Sequence, residues 1–327
     1  MLNIFYNPIY VKQKKVFLTK HLKHSVFLNY FISINYFLNR PINEKYIQSG
    51  PHKRMNNLLH TFANDPKVNF NSIKYDSSYI IQFDKYGQSI LEKIIKNKNI
   101  NTKVIIGPLY NIKQDEKINS LAREYPFIKK LVASEIAYKN SSEINSNYLK
   151  ESTVICPSGI IDKKTVLENL SFENRNSKCL IYYKKRENHE LKLVLDLLDN
   201  NNQSYDVFEY GKYNNRDLIE AAKSYKFGII INGTETQGFA IQEIMACNLP
   251  LLVWNKTVNY FNNLELSGTS VTVWDKHCGE LVYNFEQLEK KYSYFVSNLK
   301  NYNPARLILE KLTFEKFNSN LKEMFKS

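Results

Sequence analysis

Two glutamates eight residues apart, Glu235 and Glu243, flank a glycine turn in the stretch KFGIIINGTETQGFAIQEIMACNLPLLVW, residues 226–254. An ionised carboxylate suits vicinal hydroxyls, because its two oxygens can take two charge-assisted donors at once. Glu243 falls within Phe239 to Cys247, a segment apolar nearly all round, which predicts a helix buried between layers. A charge there is costly unless something specific satisfies it. Either a lysine or a diol such as that of ribose would serve. Glu235 falls at the strand-to-helix turn, where a carboxylate can accept from sugar hydroxyls. Beside it, Thr236 leads into Gln237, Gly238 and Phe239, whose free amides at a helix start attract an anion such as phosphate. Gly238 lets backbone and ligand come close.

Elements of alternating type must hold these residues. Apolar runs near Tyr79 to Phe83, Val104 to Ile106, Lys130 to Ala133, Leu180 to Tyr183, Tyr205 to Phe208, Phe227 to Ile231 and Leu251 to Trp254 predict strands. Another candidate is Phe27 to Phe37. Helical patterns fall between them, near Lys53 to Phe62, Gln88 to Lys96, Glu116 to Glu124, Glu187 to Leu198, Arg216 to Ser224 and Phe239 to Cys247. This alternation predicts an α/β fold of two doubly wound, parallel-sheet domains, with a ligand cleft between them at the strands' carboxyl ends. At 327 residues the chain exceeds what one core of about 150 residues organises. A boundary is expected near Val154 to Asp162, where VICPSGIID carries Pro and Gly. The expected domains are 1–155, 156–303 and a C-terminal helix over 304–327, about Pro304 to Lys326, that packs back on either half.

Composition narrows the function. The net charge of +13 raises nucleic acid, anionic membranes or phosphorylated substrates as partners. The lysines are scattered through a Lys-, Asn-, Ile- and Tyr-rich chain, which argues against a dedicated nucleic-acid surface. Cys156, Cys179, Cys247 and Cys278 are far apart and lack metal spacing, so a reducing, cytoplasmic setting is expected, with no zinc site. Val26 to Leu38 is too short and too polar to span a bilayer and reads as a buried first strand. Peripheral membrane contact stays open.

The segment Glu235-TQGFAIQ-Glu243-IMACNLPLLV resembles the E-x7-E signature of GT-B glycosyltransferases of the retaining, GT4-like group. VICPSGIID resembles that group's V-I-P-N-G-V-D segment near the hinge, with Ser158 where Asn is usual. IQSGPHKRMNNLL, VIIGPL, WDKHCG and NPARLILEKL resemble a subfamily of large DNA viruses and some bacteria; a viral member would act in the host cytoplasm. The likeness is good from about Val154 to Trp254 and weak before it.

The resemblance implies a GT-B fold, two Rossmann-like domains facing a cleft. It implies that Glu243 binds the donor's ribose hydroxyls and that Glu235, as the catalytic residue, contacts the transferred sugar. Lys184, Lys185 and Arg186, after the strand CLIYY, stand where such enzymes place basic residues on the diphosphate, and charge developing on a leaving diphosphate needs them there. Gly211, Lys212 and Tyr213 correspond to the region cupping the nucleobase, where Tyr213 either stacks or covers a helix. Gly50, with Pro51, resembles the acceptor-side glycine loop. Gly107 and Pro108 stand where the family often has a histidine, so no acceptor-side base is assigned.

The reaction so implied moves a hexose or related sugar from a UDP- or GDP-sugar to a hydroxyl of a glycan, lipid or protein, with retention. No separate cofactor is expected, and no metal, since an Asp-x-Asp motif is absent. The alternatives are a nucleotide-sugar epimerase on the same fold, which needs acid and base groups around the sugar, and a non-catalytic basic protein that binds nucleic acid.

Overall fold

The computed structural model describes residues 1–6, 50–62, 65–71, 77–81, 83–108, 112–145, 147–168, 175–261 and 263–326, without the side chains of 50–52, 60 and 112–114. The strand expected at Phe27 to Phe37 lies outside the described residues. Two compact units emerge. One holds the described residues up to Gly159 together with those from Phe314 onward; the other is Ile160–Thr313.

In the N-terminal unit the order is β1 (Leu2–Phe5), α1 (Gly50–Phe62), β2 (Val68–Phe70), β3 (Ser77–Ile80), α2 (Lys85–Lys96), β4 (Lys103–Ile106), α3 (Ile112–Glu124), β5 (Ile128–Val132), α4 (Glu135–Ile144) and β6 (Thr153–Ile155). The six strands form one parallel sheet in the order β2-β1-β3-β4-β5-β6. Alternate side chains feed a core on each face. Leu2, Ile4, Tyr79, Ile105 and Leu131 pack on one, while Phe5, Ile80, Val104, Ile106 and Ile128 pack on the other. Two-sided burial is why these strands read as continuous apolar runs. Helix α1 begins at Gly50 itself, so Gly50 and Pro51 form its first turn instead of preceding it; proline suits that position because its missing N–H has no helical partner there. Met55, Leu58, Leu59 and Phe62, at helical spacing, place α1 on the sheet.

The C-terminal unit continues with α5 (Lys163–Glu168), β7 (Asn176–Lys184), α6 (Asn188–Asn200), β8 (Tyr205–Glu209), α7 (Asn215–Ser224), β9 (Tyr225–Asn232), α8 (Phe239–Ala246), β10 (Leu251–Trp254), β11 (Val258–Phe261), β12 (Leu264–Ser267), β13 (Gly279–Val282), α9 (Phe285–Ser297) and α10 (Pro304–Lys311). Five strands form a second parallel sheet, β13-β10-β9-β7-β8, while β11 and β12 make an antiparallel hairpin. Leu180, Tyr182, Ile230, Leu251 and Val253 face one core; Cys179, Ile181, Ile229, Leu252 and Trp254 face the other. The chain is therefore α/β, with two Rossmann-like doubly wound sheets. In the second sheet the order reverses between β7 and β9, the switch point at which such folds bind ligands.

The single helix expected from Pro304 to Lys326 is two helices. It stops at Lys311, and α11 (Phe314–Glu323) starts anew. At the break the Leu312 carbonyl accepts from the Ile160 amide and Thr313 bridges to Ile161, so the backbone leaves the helix to pair. Helix α11 belongs to the N-terminal unit, where Phe317 and Leu321 enter the core beside Phe62. Among the described residues no helix is long and apolar enough to cross a membrane.

Candidate functional site

Strands β7 and β9 end in register, Lys184 opposite Asn232, at the switch point of the second sheet. The chain after β9 turns through Gly233 and Thr234, and Glu235 folds back over the strand ends. Its Oε1 accepts from Lys184 Nζ at 2.5 Å and from Asn232 Nδ2 at 3.0 Å. Both partners take the same oxygen. Oε2 has no hydrogen-bond partner among the described residues and is left to receive another donor. Lys184 also lies over the ring of Tyr210, 4.6 Å from its centroid. The ion pair is largely but not wholly shielded, with 14% of the Lys184 and 12% of the Glu235 side chain exposed.

A loop that sequence reasoning did not single out locks this arrangement. Thr269 O accepts the Glu235 amide at 2.9 Å, Ser270 Oγ donates to Asn232 O at 2.8 Å, and Thr272 Oγ1 donates to Gln237 O at 2.5 Å. Asn255 Oδ1 accepts the Ser270 amide at 2.7 Å. Asn232 Nδ2 faces two acceptors, the Glu235 carboxylate and the Ser270 carbonyl, which fixes the amide's orientation. The only signal of this loop in the sequence is the run of small polar residues GTSVT. Gly268 opens it because a Cβ there would lie 2.4 Å from Thr234 Cγ2.

Helix α8 starts at Gly238, whose φ of +79° is the left-handed conformation that glycine adopts freely. No side chain caps this end, and the first backbone bond runs from the Gln242 amide to Gly238 O. The amides from Gly238 to Ile241 are therefore the orphan donors of a helix N-terminus, suited to an anion. Gln237 is buried and Thr236 exposed.

Glu243 is not the fully buried polar residue expected on this helix. The buried polar residue of α8 is Gln242, at 2% exposure, whose Nε2 donates to Gln237 O at 2.6 Å and to Thr272 Oγ1 at 3.3 Å. Glu243 is half-buried and shares with Phe239 and Ala240 the one stripe of α8 that is not closed over. Helical spacing puts Glu243 one turn below Phe239, on the side of the open N-terminus. Its carboxylate influences Tyr213. Burial pushes the Tyr213 hydroxyl up to about 12; a hydrogen bond with Tyr182 opposes this rise and the Glu243 charge adds to it.

The remaining expected residues separate into two groups. Arg186 serves the scaffold: its guanidinium pairs with Glu190, donates to Asn232 O at 3.3 Å and Trp254 O at 3.0 Å, and stacks 4.8 Å from the Trp254 ring. It ties the ends of β9 and β10 together, which leaves little of its donor capacity for a phosphate. Lys185, at φ +51°, is exposed and makes no ion pair among the described residues. Tyr213 is half-buried and packs edge-on against Tyr182 and Phe208 at the margin of the core; the exposed ring of that turn is Tyr210. Gly211, at φ +93°, is exposed, and Lys212 pairs with Glu209 at 2.8 Å.

In the N-terminal unit Gly107 has φ +141°, and a Cβ there would lie 2.3 Å from Leu131 O. Its carbonyl accepts from Tyr79 Oη at 3.0 Å, and Pro108 follows it. Gly107 is thus required by close packing between β4 and β5. Gly50 is the first residue of α1.

No family of known sequences matches the chain, and no curated protein does. Solved structures do. The chain is similar to the pneumococcal O-GlcNAc transferase GtfA in complex with UDP and GlcNAc, at 14% identity and a TM-score of 0.46 over 77% of this chain and 57% of that one. It is similar to TarM at 12% and 0.49, over 83% and 58%. A third is WaaG, a glycosyltransferase involved in lipopolysaccharide biosynthesis, at 11% and 0.43, over 86% and 96%. The chain spans less than two thirds of GtfA and of TarM. With every one of these TM-scores below 0.5, the architecture rests on the strand pairing itself.

Proposed function

We propose that the chain is a nucleotide-sugar-dependent glycosyltransferase of GT-B type, with its donor site in the C-terminal unit. The observation that carries the reading is the Lys184–Glu235–Asn232 cluster at the switch point of the second sheet, beside the uncapped start of α8. One cation, one carboxylate with a spare oxygen and a row of free amides is the donor and acceptor set a sugar diphosphate requires.

On this reading Glu235 Oε2 accepts from a hydroxyl of the transferred sugar, and Lys184, with Lys185 and the α8 amides, takes the diphosphate. Glu243, on the open stripe of α8, accepts from the ribose. The bond from the anomeric carbon to the diphosphate oxygen breaks, and the acceptor oxygen enters on the same face, which retains configuration. Its proton passes to the leaving phosphate. Lys184 and the helix start stabilise the charge that develops there, and positioning supplies much of the remainder. Donor binding without a metal belongs to the same proposal, as do the GT4-like grouping, a hexose as the transferred sugar and a cytoplasmic location.

Calorimetry with UDP and GDP, followed by product analysis with the matching sugars, tests the reading. Saturable binding of one nucleotide that Glu243→Gln weakens, together with transfer that Glu235→Ala slows, is expected. Absence of nucleotide binding would overturn the reading. Conversion of donor without an acceptor would favour an epimerase, and steeply salt-dependent binding to nucleic acid would favour a binding protein.

A further inference from the structure

Arg54 lies on α1 with 1% of its surface exposed. Its Nη2 donates to Tyr79 Oη at 2.9 Å, and the Tyr79 hydroxyl in turn donates to Gly107 O at 3.0 Å. Among the described residues Nε and Nη1 are buried without a hydrogen-bond partner. No carboxylate among the described residues pairs with Arg54, and the first turn of α1 holds no acidic residue. Cys156, close enough to feel the guanidinium, supplies no counter-charge: burial pushes its thiol up to about 12 against the pull of Arg54, so it is neutral near pH 7.

A guanidinium is always charged, and a buried charge without a counter-charge is among the costliest arrangements a fold can hold. A buried water can accept from Nε or Nη1, but it leaves the net charge where it is. The place is also informative. Gly107 and Cys156 follow the last residues of β4 and β6, so Arg54 stands at the carboxyl ends of the first sheet, where doubly wound folds take ligands.

We infer that Arg54, with Tyr79 as its support, forms an oxyanion site in the N-terminal unit that takes a terminal phosphate or carboxylate. Nε and Nη1 leave the guanidinium on different sides, so each can give its own charge-assisted bond to an oxygen of such a group. Because both nitrogens lie beneath the surface, the group is a small terminal one, at the end of a ligand or free in solution. The site is separate from the donor reading and stands or falls without it.

The test titrates the full chain with inorganic phosphate, glycerol 3-phosphate and acetate at constant ionic strength and saturating nucleoside diphosphate, so that the α8 site is blocked. Thermal shift and hydrogen exchange are the readouts. Saturable binding that slows exchange in α1 and around Gly107 is expected, and Arg54→Gln should weaken it at least tenfold while nucleotide affinity stays as in the wild type. Should Arg54→Gln not fold, Arg54→Lys keeps the charge without the separate Nε and Nη1 donors and should weaken binding severalfold. A glycerol phosphate bound more tightly than phosphate identifies a phosphate monoester; equal affinity identifies the free ion, and preference for acetate a carboxylate. The inference is overturned if the wild type binds none of the three, if protection falls outside α1 and Gly107, or if a folded Arg54 variant binds as the wild type does. Loss of nucleotide binding alone would count against the donor reading and not against this site; the titration is then repeated on Lys184→Met.

Discussion

Lys184 and Glu235, 51 residues apart in the chain, meet at 2.5 Å where β7 and β9 end side by side. The lysine that would hold a diphosphate is thus already oriented by the carboxylate that would hold the sugar. Lys184→Met should weaken nucleoside diphosphate binding about ten- to a hundredfold, as expected for loss of about 1.5–3 kcal/mol of charged hydrogen bonding. Glu235→Gln should leave that affinity nearly unchanged and lower turnover. Calorimetry and product formation, measured on the same preparations, separate the two; equal effects of both changes on affinity would count against this division of roles.

Arg186 should behave as a scaffold residue. Arg186→Met leaves Glu190 and two strand-end carbonyls without their partner, which should cost about 3 kcal/mol in urea unfolding. An unchanged midpoint combined with weaker nucleotide binding would place the guanidinium on the ligand instead.

The two tyrosines of the turn after β8 should differ in kind. Tyr213→Ala removes a ring packed on Tyr182 and Phe208 and should cost about 3 kcal/mol. Tyr210→Ala, at an exposed position, should change stability by no more than about 0.5 kcal/mol. By uncovering Lys184 it should still alter nucleotide affinity. Denaturation and binding curves on both variants check this, and matching stability losses would refute it.

Gly107→Ala should destabilise the N-terminal unit by more than about 2 kcal/mol, since the added Cβ meets Leu131 O and the backbone is left-handed. Acceptor binding cannot then be judged from that variant alone. A wild-type melting temperature would show that β4 and β5 can move apart.

Asp65 anchors α11. Burial pushes its carboxyl up, but hydrogen bonds from Lys322, the Lys67 amide and Asn318 more than offset this and hold it below its ordinary 3.8. Because the folded value is the lower one, the contribution is full above pH 3.8 and is lost as pH falls through the folded value. Asp65→Asn should therefore lower stability at pH 7 but match the wild type in stronger acid, with faster exchange in α11 as the local readout. A penalty that persists unchanged in acid would contradict the ion pair's role.

Most elements were legible because parallel strands covered on both faces are continuous apolar runs, as in CLIYY and KFGIII, and amphipathic helices keep their period. Strands β1, β2 and β13 and the hairpin break their apolar runs with polar residues, as in LNIF, VNF, GELV, VNYF and LELS, and the three-residue β6 is too short to stand out. Lys184 and Glu235 were expected at the site and Asn232 was not; the three could not be related by reading, since their contact depends on sheet register. Burial was expected around Glu243 and falls on its neighbour Gln242: adjacent positions on a helix point about 100° apart, and an all-round apolar pattern does not say which of them faces the open side.

By itself the sequence determined the α/β alternation, the strand-turn-helix-strand unit around residues 226–254 and the pair of glutamates at its turn. All of these are local, written in periodicity and residue type. Tertiary structure alone decided that Lys184 grips Glu235 by one oxygen, that GTSVT locks the turn, that Arg186 and Tyr213 belong to the scaffold, and that Arg54 is buried with no carboxylate partner among the described residues. Each depends on which strand lies beside which and on what then closes over a side chain. Charge and exposure acquire meaning only from neighbours far away in the chain.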